Sequence, residues 1–193
     1  MDWMCEPIVL AGGQAGPLRF AGTGLTVTEH QRRTVANFVQ LRTLAPELPI
    51  IPVLQGWQAA DYLACAELYA QAGVDLTTAP LVGLGSVCRR QATGEARHII
   101  ASLHHAGIRR LHGFGFKVVG LRENWHALTT ADSMAWSFDG RYAGPCQHPP
   151  YTRGQRPCSE ANCLPYALTW RQRHIKPPQF TQTDLLTDGG QAA

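Results

Sequence analysis

Short apolar stretches end near Gln55, Gly85 and Gly115, so a strand-like unit recurs about every thirty residues. That period is the size of one strand plus one crossover helix, and no other feature constrains the fold as much. Strands joined in this way run parallel through right-handed connections, which leaves a barrel or an open wound sheet. The strands read as residues 50–54, 81–84, 111–116 and 128–131. Thr26 with Glu29 predicts a capping box ahead of a helix that places Val35, Phe38 and Val39 on one face. A second helix is expected over 59–72 with Gly73 at C′. A third carries Ala96, Ile99, Ile100 and Leu103 at helical spacing and stops at Gly107. Residues 2–7 read as the tail of a strand and 11–25 as a glycine-rich loop.

Gly83-x-Gly85 and Gly113-x-Gly115 lack the third glycine and acidic partner of a dinucleotide-binding turn. Polar residues at carboxyl ends of parallel strands face the place where ligands collect. Asp132, at the end of the last strand, is therefore the foremost candidate, with Asp2 and Gln55 at other predicted strand ends. A strand-end Asp or Gln is also a common turn former or helix cap. Gly56 and Gly85 allow a flat ligand to approach the backbone, or simply make turns. Arg89, Arg90 and Lys117 are candidates for phosphate contacts, against the commoner role of solvated charges. Cys65 and Cys88 read as small buried hydrophobes and His104-His105 as surface residues.

The 193 residues are enough for one domain with a core, but fewer than the roughly 250 of a complete (β/α)8 barrel. Hydrophobic residues at 45 % against 16 % charged argue against disorder over most of the chain. A net charge of +3 is compatible with a nucleic-acid partner without arguing for one. No apolar run is long enough to span a membrane, the opening residues do not form a signal peptide, and a cytoplasmic location is expected. In that compartment six cysteines suggest thiols or metal ligands rather than disulfides.

After Trp136 the composition turns rich in Gly, Pro and Arg. Cys146, His148, Cys158 and Cys163 fall within 18 residues there and have the ligand types of a structural zinc site. The Cys158–Cys163 spacing is wide, so unrelated thiols are the alternative, and His174 is a substitute fourth ligand. The division expected is 1–138 for the strand–helix units, 139–175 for the zinc loop and helix, and 176–193 for a disordered tail.

Taken together, the motifs resemble the tRNA-guanine transglycosylase superfamily, zinc-containing (β/α)8 enzymes that exchange guanine for a 7-deazaguanine base. Asp2-Trp3-Met4-Cys5-Glu6-Pro7 is similar to its base-binding segment, and Leu54-Gln55-Gly56 to its Val-Gln-Gly strand end. Val82-Gly83-Leu84-Gly85 resembles its glycine strand end, Leu111-His112-Gly113-Phe114-Gly115 its Leu-Met-Gly-Val-Gly strand, and Ala131-Asp132-Ser133 its nucleophile strand. Residues 130–137 and 163–171 look like the branch that places deazapurines in DNA, the DpdA-like branch.

The resemblance implies an α/β fold of the TIM (β/α)8-barrel type, apparently incomplete at its N-terminal side, with a C-terminal zinc segment. It implies Asp132 as nucleophile, Asp2 on the purine N1–H and 2-amino group, and Gln55 with the Gly56 and Gly85 region on the 6-oxo side. The substrates implied are a 7-deazaguanine base and a nucleic acid, DNA more than tRNA. The family's Asp-Ser-Gly-Gly-Phe segment, source of its general acid/base, has no counterpart here. Either the missing strands belong to a preceding segment, or a partner or second copy supplies them, or the protein is a degenerate remnant. The rival from another class is a non-catalytic, zinc-stabilised nucleic-acid-binding or partner subunit. An aldolase-like lyase ranks last, since Lys117 is its only candidate for a Schiff base.

Overall fold

The computed structural model describes residues 2–88, 90, 92–144 and 159–175. Two compact units result, Met1–Met134 and Ala135–Ala193. In the first, Pro7 opens a short helix α1 (Pro7–Ala11), followed by β1 (Gly13–Ala15) and β2 (Leu18–Phe20) as an antiparallel ribbon. This ribbon replaces the expected glycine-rich loop. Gly16-Pro17 makes a two-residue turn with Gly16 at φ +59°, which is what a tight hairpin needs. Residues 2–6 are not a sheet strand but lie pinned to the next helix, α2 (Val27–Leu44). The Trp3 N–H donates to Thr34 Oγ1 at 2.8 Å, and His30 Nδ1 donates to the Met4 carbonyl at 2.7 Å. Thr26 caps α2 as expected, accepting from the Glu29 N–H at 3.1 Å. The Glu29 carboxylate turns instead to Arg32 and Arg33.

Four strand–helix units follow: β3 (Val53–Leu54), α3 (Ala59–Gln71), β4 (Val82–Leu84), α4 (Gly94–His105), β5 (Leu111–Gly113), α5 (Val118–Glu123), β6 (Thr130–Ala131) and, in the second unit, α6 (Ala135–Gly140). The sheet is wholly parallel and its order is β3-β4-β5-β6, without the reversal of a doubly wound sheet. Among the described residues it does not close into a barrel. Its strands are shorter than the apolar runs suggest. Pro52, lacking an N–H, limits β3 to two residues, and the 3-10 turn Trp125–Ala127 ends shortly before the last strand.

Residues in register share a face. Leu54, Leu84, Gly113 and Ala131 form one row, and Val53, Gly83, His112 and Thr130 the row of the opposite face. The first face, with Val82 and Leu111, packs on Val35, Tyr62, Cys65, Tyr69, Ile99, Ile100 and Leu103. The helices α2, α3 and α4 thus cover one face only. The amphipathic stripe expected of α4 is the buried one: Ala96, Ile99, Ile100 and Leu103. His105 is exposed as expected, but His104 is half-buried with Nε2 enclosed.

The open edge of β3 has an unusual occupant. Pro52 and Leu54 carbonyls point to β4, leaving the Val53 N–H and C=O on the outer side. The buried Tyr69 hydroxyl meets both, accepting from the Val53 N–H at 3.0 Å and donating to its carbonyl at 3.1 Å.

Burial pushes the Cys5 thiol up to about 12 and the Cys65 thiol to about 11, from the usual 9.0. Both groups are neutral in the fold, so their contribution is complete below pH 9 and is lost as pH rises towards 11 and 12. A thermal melting series should be flat up to about pH 9 and fall above it. A melting temperature still flat at pH 11 would contradict this placement of the thiols.

In the second unit α6 is followed by 3-10 turn Glu160–Asn162 and α7 (Leu164–His174). The Trp170 Nε1–H donates to Asp139 Oδ2 at 2.7 Å, and Gly140 lets the Glu160–Ala161 backbone come so close that a Cβ would stand 2.7 Å from it. No helix among the described residues is long and apolar enough to cross a membrane.

Candidate active site

The ladder extends one residue past the strands. Gly85 donates to the Leu54 carbonyl at 3.0 Å, Phe114 to Leu84 at 3.3 Å, and Asp132 to Gly113 at 3.3 Å. Gln55, Gly85, Phe114 and Asp132 therefore form one row at the carboxyl ends, on the face without helices, where the sequence places a site. Phe114 folds back over Gly83, whose Cβ would meet its ring at 2.5 Å.

Asp132 sits at the β6 end of the row, its side chain 62 % exposed. One carboxylate oxygen, Oδ1, accepts from the Gly115 N–H at 2.5 Å and lies 3.9 Å from His112 Nε2. Gly115 can present that N–H because it adopts φ +67°, and a Cβ there would also run into Cys88 at 2.6 Å. His112 is oriented by Thr130, with Nδ1 and the hydroxyl 2.8 Å apart, and meets Phe114 edge-on. The result is a carboxylate anchored by one oxygen and open to solvent, a fit geometry for a nucleophile.

The other end of the row gathers Asp2, Gln55 and Gly85. Gln55 Nε2 donates to Asp2 Oδ2 at 2.5 Å, and its amide lies across Gly85 in the space a Cβ would fill. Gln55 is completely buried and Asp2 exposed, so a ligand arriving here meets Asp2 first. Gln31 holds the Gln55 and Asp61 carbonyls at 2.8 Å each, and Tyr62 donates to the Gly85 carbonyl at 2.8 Å. With its N–H spent on Leu54, Gly85 has only the second lone pair of that carbonyl to offer. Gly56 meets a packing demand, since a Cβ would stand 2.8 Å from Asp61 at the start of α3.

The expectations for the basic residues divide. Arg89 lies outside the described residues. Arg90 is neither a phosphate ligand nor a solvated charge: it is buried, stacked 4.0 Å over Trp57, and bonded to the Trp57 carbonyl and Glu95. Lys117 is exposed at the N-cap of α5, without the apolar pocket a Schiff-base lysine needs.

Of the four residues expected to bind zinc, Cys146, His148 and Cys158 lie outside the described residues, and Cys163 is buried at the N-cap of α7. Among the described residues no cluster of metal-ligating side chains occurs. His174 ends α7 and Cys163 precedes it, about 16 Å apart along the axis, too far to share one ion.

Sequence reasoning passed over Ser86 and His112. Period-two alternation carries a signal for His112, two residues before Phe114 on the same face. Ser86 has only its place next to Gly85 to mark it.

A profile of the DpdA family, described as DeoxyPurine in DNA protein A, matches residues 1–193. No curated protein and no solved structure gave a match. The profile spans the whole chain, including the row of strand ends and both units. The chain therefore belongs to the DpdA family and has a role in the deazapurine modification of DNA.

Proposed function

We propose that the protein exchanges guanine in DNA for a 7-deazaguanine base, with Asp132 as the nucleophile. The observation that carries this reading is the Asp132 carboxylate, anchored through Oδ1 by the Gly115 N–H and exposed at a strand end. In the first step a carboxylate oxygen bonds to C1′ of the deoxyribose while the bond from C1′ to the base nitrogen breaks. The departing guanine takes the electron pair and a proton from water, and water takes up the proton that the incoming base gives up in the second step. In the second step the incoming base loses its proton, attacks C1′ and releases the carboxylate. The target nucleotide has to leave the helix first, at a cost of a few kcal/mol for unstacking. Asp2, at the opposite end of the row, would accept from the N–H donors of the base. Strands in sequential order, with helices on one face, support an arc of a (β/α)8-type barrel. Further strands from more of the chain, a partner or a second copy would complete it.

The donor set Cys146, His148, Cys158 and Cys163 suits a tetrahedral zinc ion, and the buried Cys163 fits a ligand at the inner end of such a loop. Zinc there would cross-link the loop to α7 and take no part in the chemistry. Metal analysis should find about one equivalent per chain, lost in Cys163→Ser, and chelation should lower the melting temperature. Unchanged melting after complete metal removal would refute a structural site.

Labelled guanine offered with DNA and, in parallel, with tRNA tests the function. Label in DNA alone supports it. Label in neither polymer overturns exchange and leaves a non-catalytic DNA-binding or partner subunit, a reading favoured by the complete burial of Gln55.

A further inference from the structure

We propose that Ser86 is a positioning residue that fixes the hydrogen-bond polarity of the base-recognition corner, and so its preference for a ring edge carrying N–H donors. The inference rests on the reading of Asp2 as the base-binding carboxylate. Three bonds connect in series: the Cys5 N–H to Ser86 Oγ at 2.8 Å, Ser86 Oγ to Gln55 Oε1 at 2.6 Å, and Gln55 Nε2 to Asp2 Oδ2 at 2.5 Å. A peptide N–H can only donate, so Ser86 accepts there and directs its own proton onward. The Gln55 atom that receives this proton is the amide oxygen, which turns the amide N–H2 towards Asp2. Asp2 faces a donor and is an acceptor on both sides. One main-chain N–H thus sets the direction of the whole series.

The backbone supports a dedicated role for the hydroxyl. Ser86 has φ +55°, the only described non-glycine residue at positive φ. Glycine would sit there without strain, so what serine adds is its hydroxyl. Ser86 and Gln55 are both buried, where an amide in the wrong orientation has no water to correct it.

An acceptor at Asp2 suits guanine and 7-deazaguanines, whose N1–H and 2-amino groups donate. It opposes adenine, whose N1 is itself an acceptor. Without the Ser86 hydroxyl, Gln55 is free to rotate by 180° and present its oxygen to Asp2. An amide oxygen facing the carboxylate repels it from the position that meets the N–H donors of a guanine edge, and the advantage of guanine over adenine shrinks.

The test is equilibrium binding of guanine and of adenine to the full chain, wild type against Ser86→Gly. Glycine relieves the φ strain but leaves the buried Cys5 N–H and Gln55 Oε1 without their partner, so the variant should melt somewhat lower than wild type and still unfold cooperatively. The ratio of guanine to adenine affinity should fall about tenfold or more. A purely structural defect would weaken both bases together and leave the ratio unchanged. Ser86→Ala, which keeps the strain and loses the hydroxyl, should shift the ratio equally. The Gln55 side-chain amide protons should be separate and slow to exchange with solvent in wild type, and lose both properties in either variant. An unchanged ratio in both variants overturns the role of Ser86 while leaving the base site standing. A wild type that binds neither base overturns the reading of Asp2 and this proposal with it.

Discussion

Asp132→Asn is expected to abolish base exchange, lowering the rate by at least about 10³-fold, and to eliminate any covalent protein–DNA adduct. An amide oxygen is a poor nucleophile but keeps the shape of the carboxylate. It also still accepts from the Gly115 N–H, so the turn after β5 should persist and the melting temperature should change little. That pairing of lost chemistry with retained fold separates a nucleophile from a structural residue. Asp2→Ala should behave differently, raising the concentration of base needed and relaxing base choice while turnover falls less. The measurement is label incorporation into DNA together with denaturing electrophoresis to trap the ester. Full incorporation by Asp132→Asn would rule out Asp132 as the attacking group.

Tyr69→Phe should be the most damaging single-atom deletion in the first unit. Its hydroxyl satisfies the outward-facing N–H and C=O of Val53, and no other described group bonds to them. Removing it strands two polar groups beside a buried ring, a cost of about 2–3 kcal/mol. For a chain of this size that corresponds to a melting temperature lower by roughly 5–10 °C. The variant should also associate more readily, because an unoccupied strand edge invites pairing with another chain. Thermal unfolding and light scattering check both parts. A variant as stable and as monodisperse as wild type would mean that the edge is satisfied in some other way.

The sequence made the parallel framework readable because each strand–helix unit advertises itself twice, by an apolar run and by a helical stripe. Ala96, Ile99, Ile100 and Leu103 are buried where their spacing places them. The hairpin was not legible, since Gly12, Gly13 and Gly16 signal turns without saying that the residues between them will pair. Strand lengths were overestimated because apolar character continues past the point where Pro52 ends the ladder. At the site, Asp132 and Gln55 were visible as strand ends, and the register does place them in one row. Their partners were not. Gln55 reaches Asp2 across 53 positions and Ser86 across 31, and side-chain bonds at such separations leave no periodic trace. Arg90 misled for the opposite reason: its charge suggested solvent or phosphate, while the Trp57 face and the Glu95 carboxylate make burial tolerable.

The openness of Asp132 would govern the fate of the proposed intermediate. If its carboxylate forms the proposed ester, two nucleophiles compete to break it, the incoming base and water. A base at micromolar concentration faces water at roughly 55 M, and a group 62 % exposed offers water an unobstructed route. Productive exchange over abasic-site formation would then depend on a cover that the described residues do not provide. The DNA strand, lying over the sheet ends with its nucleotide turned out, is the natural candidate. On this view the substrate acts as the lid of its own reaction chamber, and a short oligonucleotide that leaves the rim uncovered would be depurinated more often than modified.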